Sequence, residues 1–111
     1  MNFKKILIAV TMLVAATCAF AKTKIVTTVF PEYDWTREIL GDKNSDAELT
    51  LLNGKGVDLH SYQPSFQDIA KISSADIFIY VGGESDKWVD GALKNAKNKN
   101  LKVINLMEVL G

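Results

Sequence analysis

Apolar and polar positions along this chain fall into blocks that switch between two periodicities. Ile25-Val26-Thr27-Thr28-Val29-Phe30 is β-branched and almost continuously apolar, the pattern of a strand covered on both faces. Pro31 suits the first turn of a helix, where its missing N–H costs nothing. Trp35 and Ile39 share one face of that helix, and Gly41 offers its C-terminal stop. Ala47 to Leu52 reads as a second strand, closed by an Asn53-Gly54 turn.

A polar stretch from Gly54 to Pro64 follows. Ser65 and Asp68 then form an S-x-x-D capping signature, and Phe66, Ile69 and Ala70 give the next helix an apolar face. Ile77-Phe78-Ile79-Tyr80-Val81 is the most strand-like run, closed by Gly82-Gly83. Trp88, Val89, Ala92, Leu93 and Ala96 recur at helical spacing from about Asp86 onward. Leu101 to Leu106 predicts a fourth strand, and Asn105 with Glu108 caps one last turn that ends at Gly111.

Strands separated by helical segments of this length imply right-handed crossovers and a parallel sheet. The expected fold is therefore α/β, a parallel four-stranded sheet flanked by helices. Ligands of such sheets sit outside the carboxyl ends of the strands. The candidate functional loops begin at Phe30-Pro31, at Asn53 to Pro64, and at Gly82 to Ser85.

Residues 1–21 depart from this alternation. A cationic Lys4-Lys5 start, an apolar run from Ile6 to Ala16, and Ala19-Phe20-Ala21 are the three parts of a secretory signal peptide. The run is short for a membrane span. The expected organisation is a signal peptide over 1–21 and one compact unit over 22–111, exported to the periplasm or extracytoplasmic space. Ala15-Ala16-Thr17 before Cys18 lacks the usual Leu and the Gly or Ala of a lipid-attachment motif, which argues against a lipid anchor at Cys18.

Composition then removes whole classes of function. The chain has 111 residues, 13 Lys+Arg against 13 Asp+Glu, one Cys and one His. Without residues 1–21 the balance is 11 basic against 13 acidic side chains, a net −2. Such a chain offers no basic field for nucleic acid. One Cys excludes a disulfide framework and multi-cysteine zinc fingers, and one His excludes a self-contained multi-histidine site.

The chemistry-bearing residues are few. Gly54-Lys55-Gly56 lacks the spacing and the Lys-Ser/Thr pair of a phosphate loop, so a flexible turn is the better reading. The Gly82-Gly83 pair offers backbone N–H groups to an anion, although a plain turn is the commoner use. Asp58, His60 and Ser61 stand too close along one loop to converge as a triad, and no G-x-S-x-G elbow is present. An enzyme built on His60 is therefore the least favoured reading. On base rates a lone loop histidine is a surface residue, but this one sits at the expected ligand edge.

Gly56-Val57-Asp58-Leu59-His60-Ser61-Tyr62-Gln63-Pro64-Ser65, followed by Asp68, Ile72, Ala75-Asp76, Gly82 and Glu84-x-x-x-Trp88, resembles the first ligand segment of the zinc and manganese ABC transporter solute-binding proteins. Ile25 to Pro31 is similar to that family's first strand with its aromatic-Pro exit, and the likeness extends in order over residues 24–110. Leu59, Gln63 and Ser65-Phe66 depart from the Pro, Glu and Thr-Pro common there; Gln63 would weaken local charge.

The resemblance implies a partial N-terminal lobe of a two-lobed protein that captures Zn²⁺ and delivers it to a permease in the inner membrane, without bond chemistry. It implies that His60 is the first metal ligand, that Asp58 is not a ligand, and that Mn²⁺ stays an alternative cargo. Tyr62 and Trp88 are then expected to pack beneath the loop. A protein zinc site takes about four ligands, so His60 alone leaves the site incomplete, and the chain reads as truncated before its remaining ligands. A small secreted α/β interaction domain without metal is the competing reading. Apolar surface left uncovered is expected either way, with a low or broad thermal transition.

Overall fold

The computed structural model describes residues 22–54 and 61–111. The proposed signal peptide, Cys18, Asp58 and His60 lie outside the described residues. The chain runs β1 (Thr23–Thr27), α1 (Phe30–Leu40), a 3₁₀ turn (Gly41–Asp46), β2 (Ala47–Leu51), α2 (Phe66–Ser74), β3 (Ile77–Tyr80), a 3₁₀ turn (Glu84–Asp86), α3 (Trp88–Lys94), β4 (Lys102–Asn105) and α4 (Leu106–Leu110). All four strands pair in parallel, in the order β2-β1-β3-β4.

The parallel α/β sheet expected from the blocks is present, and its differences from the pattern lie at element ends. Phe30 opens α1 instead of closing β1, because Pro31 fixes the helical φ one residue later. Gly41 ends that helix at φ 49°, its N–H donating to the Arg37 carbonyl. The helical spacing read from Asp86 resolves into a 3₁₀ turn followed by α3, and Ala96 lies beyond its end.

The order of strands sets the layers. The chain steps from β1 outward to β2, then back across β1 to β3 and on to β4. With right-handed crossovers this reversal places α1 on one face and both α2 and α3 on the other. Contact between α2 and α3 agrees with that placement. The face they cover holds the main core of Val26, Ile72, Ala75, Phe78, Tyr80 and Val89, with Leu52, Trp88, Leu93 and Leu101 packed against it. Phe78 and Tyr80 stack at 5.5 Å, two residues apart on one side of β3.

Two expected faces prove different. Phe66 is 96% exposed, and the buried side of α2 is made by Ile72 and Ser73. Phe66 is the first helical residue, before the helix has turned its apolar stripe onto the sheet. On α1, Trp35 and Ile39 are 57% and 85% exposed, while Glu32 is the buried residue. Met107, Val109 and Leu110 of α4 are exposed as well. The face bearing α1 is thus the incompletely covered one.

Candidate functional site

Where strand order reverses, adjacent β1 and β3 send their connections to opposite faces, and a crevice opens outside their carboxyl ends. Four buried polar residues enter this region. Thr28 follows β1, Asn53 follows β2, and Asp86 lies in the turn after β3; Glu32 reaches in from the first turn of α1. Because β2, β1 and β3 are neighbours, these residues form one row across the sheet edge.

Thr28 is the centre of the row. Its hydroxyl donates to Glu32 Oε1 at 2.8 Å, and its N–H is shared between Glu32 Oε2 at 3.4 Å and the Ile79 carbonyl at 3.3 Å. Its carbonyl accepts the Asn53 N–H at 2.9 Å. Burial pushes the Glu32 carboxyl up to about 7, reinforced by the nearby Asp86 charge and opposed by the Thr28 hydrogen bonds. Asp86 accepts the Gly82 N–H through Oδ2 at 2.9 Å, whereas its Oδ1 and Asn53 Oδ1 are buried without a hydrogen-bond partner among the described residues.

The turn after β3 is shaped for that carboxylate. Gly82 and Gly83 have φ 98° and 81°, and a Cβ on Gly82 would stand 2.5 Å from Asn105 Oδ1. The Gly82 N–H is therefore occupied by the chain's own Asp86, so the Gly pair acts as a turn with an internal anion. Beside it, a cleft of about 480 Å³ opens between α1 and α4, lined by Val29, Trp35, Val81, Leu106, Met107 and Leu110, with Glu32 the ionisable side chain among its described lining residues.

The segment bearing His60 departs from this edge after Asn53-Gly54 and rejoins the described chain at Ser61. Its return is anchored firmly. Tyr62 donates its hydroxyl to Asp68 Oδ2 at 2.8 Å, and its ring meets Trp88 edge-on at 5.8 Å. Trp88 in turn leans on Phe78 at 6.5 Å, which ties the loop's end to the core. Tyr62 and Trp88 thus pack against each other and the core; the loop they were expected to underlie is outside the described residues. Burial and the neighbouring Asp68 raise the Tyr62 hydroxyl.

Asp68 also completes the capping box read from the sequence. It accepts the Ser65 N–H at 3.0 Å, while its own N–H donates to Ser65 Oγ at 3.1 Å. Burial pulls its carboxyl up, but the bonds from Ser65 and Tyr62 and the charge of Lys71 outweigh this and hold it below the usual range. Glu84, by contrast, is exposed and paired with Lys87 at 2.6 Å. Among the described residues no group of three or more His, Cys, Asp or Glu is placed to hold a metal.

The sequence pattern singled out neither Glu32 nor Asp86 as an element of the edge. The available signal was positional: an acid directly after Pro31, in the first turn of the helix.

Fold and edge together define an α/β lobe, a parallel sheet whose carboxyl edge carries buried polar groups. The chain belongs to the ZnuA family, the periplasmic zinc-uptake complex component A, whose model matches residues 25–110. It is 38% identical over 86 residues to the zinc-binding lipoprotein AdcA of Streptococcus pneumoniae serotype 4, covering 78% of this chain and 17% of that protein. The high-affinity zinc uptake system protein ZnuA of Bacillus subtilis is 31% identical over 109 residues, 88% of this chain and 33% of that protein. The Zn(II)-bound ZnuA-like domain of S. pneumoniae AdcA superposes with a TM-score of 0.65 at 38% identity, over 77% of this chain and 31% of that one. The chain therefore spans between 17% and 33% of these relatives.

Proposed function

We propose that this chain forms part of the first lobe of an extracytoplasmic zinc-binding component of an ABC uptake system, with His60 as its first ligand to the transported ion. The observation that carries this reading is the family match over residues 25–110, in which the loop holding the sole histidine leaves from the carboxyl edge of the sheet. A neutral imidazole suits zinc, and an unperturbed one is largely deprotonated at neutral pH. Zinc is the cargo here and no covalent step is involved. Mn²⁺ remains the second candidate, because an imidazole at this position serves either ion.

A protein zinc site takes about four ligands, and this sequence contains a single His. His60 contributes one corner of a site whose other ligands come from outside residues 1–111, and delivery to a membrane permease belongs to the complete assembly. A chimera tests this reading: residues 25–110 replace the matched segment of B. subtilis ZnuA, and zinc binding is measured by calorimetry. The chimera binds zinc stoichiometrically, and His60→Ala weakens it at least tenfold. Unchanged affinity after His60→Ala would remove His60 from the site.

A further inference from the structure

Glu32 occupies an unusual place for an acid. A carboxylate in the first turn of a helix ordinarily stays in water, facing the free N–H groups of the helix end. Glu32 is 2% exposed, and both its oxygens turn back to Thr28. Thr28 is itself buried and holds the Asn53 N–H through its carbonyl. Asn53 is the last described buried residue before the segment that carries His60.

We propose that Glu32 is a positioning residue: as a neutral carboxylic acid it fixes Thr28 and, through Thr28, the root of the segment that carries His60. Burial and the facing groups favour the neutral form. No cation among the described residues pairs with Glu32. The titratable group facing it is Asp86, from the turn after β3, which is 4% exposed and has one oxygen without a donor. Across the cleft α4 presents Leu106, Met107 and Leu110, which carry no charge. A second buried negative charge beside Asp86 has nothing to compensate it. Ionised Glu32 accepts more strongly from Thr28 but stands as an uncompensated buried charge, which is relieved when the side chain turns out to water and so releases Thr28 and the Asn53 root.

The link to zinc rests on the proposed role of His60; the structural part does not. Amide hydrogen exchange of the full chain, read by NMR between pH 5 and pH 9 and corrected for intrinsic rates, tests it without metal. In the wild type, protection of the Asn53 amide, taken relative to Phe78, falls at least tenfold as pH rises through about 7. Glu32→Gln keeps an acceptor for Thr28 and stays neutral, so its protection remains high and flat with pH. Glu32→Leu loses protection at every pH, and Asp86→Asn moves the wild-type transition to lower pH. A flat wild-type profile, or a Glu32→Gln profile that follows the wild type, overturns the proposal even if Glu32→Leu fails to fold. Zinc binding by His60 does not enter this readout, so failure of that assignment would show in the chimera instead.

Discussion

The two edges of the sheet are built from similar residues to opposite ends. At the amino edge the main chain and its polar side chains close on one another. Asp76 Oδ2 accepts the Lys24 N–H at 2.8 Å, and Asn98 Nδ2 donates to the Ala75 carbonyl at 2.8 Å. Ser73 Oγ accepts the Lys97 N–H at 2.8 Å. At the carboxyl edge Thr28, Glu32, Asn53 and Asp86 are hidden from water more completely than Asp76 and Asn98, yet two of their oxygens lack a donor among the described residues. Buried polar groups without partners destabilise a fold, so the contrast sets a satisfied amino edge against a carboxyl edge that is not, the edge to which we assign the proposed function.

The largest expected effect that separates the edges is a pH dependence arising at one of them. Glu32 binds its proton more tightly when folded, about 7 against an ordinary 4.5. Its contribution is therefore fully present below pH 4.5, declines as pH rises, and is lost above about 7. A shift of that size corresponds to roughly 3 kcal/mol as an upper value. Urea unfolding at pH 5 and pH 8 checks it: the wild type is less stable at pH 8, and Glu32→Gln removes most of the difference.

Next in size is Gly82→Ala. It forces a side chain onto a backbone at φ 98° and against Asn105, costing about 2 kcal/mol. Thermal unfolding measures this, and an unchanged midpoint would show that the turn after β3 has room to move. Smaller again is Asn98→Ala at the amino edge, which leaves the Ala75 carbonyl without that donor. A loss of about 1 kcal/mol is expected, equal at pH 5 and pH 8, because the acceptor left open is a backbone carbonyl. A pH-dependent loss there would erase the distinction between the edges.

Much of the fold was legible because local chemistry decided it. The Ser65–Asp68 capping box, the Gly41 stop, the Gly82-Gly83 turn and the unbroken β3 each depend on residues a few positions apart. The alternation of strand and helix then implied a parallel sheet. The exposure of Phe66, Trp35 and Ile39 was not legible, since periodicity tells which residues share a face but not whether anything covers it. Glu32 and Asp86 escaped for a related reason. Their role arises from side chains brought together by the pairing of β1 with β3, residues far apart in sequence. His60 was the opposite case, found through the motif that surrounds it rather than through any contact.

The uncovered apolar residues on α1 and α4 agree with a lobe that occupies less than half the length of its relatives. They also bear on the central claim, that His60 supplies one ligand of a site this chain does not complete. Calorimetric titration of the full chain with Zn²⁺ at pH 7 tests that claim most directly. The account predicts weak binding at most, with dissociation constants no tighter than micromolar, and its loss in His60→Ala. Tight one-to-one binding by the monomer would contradict it.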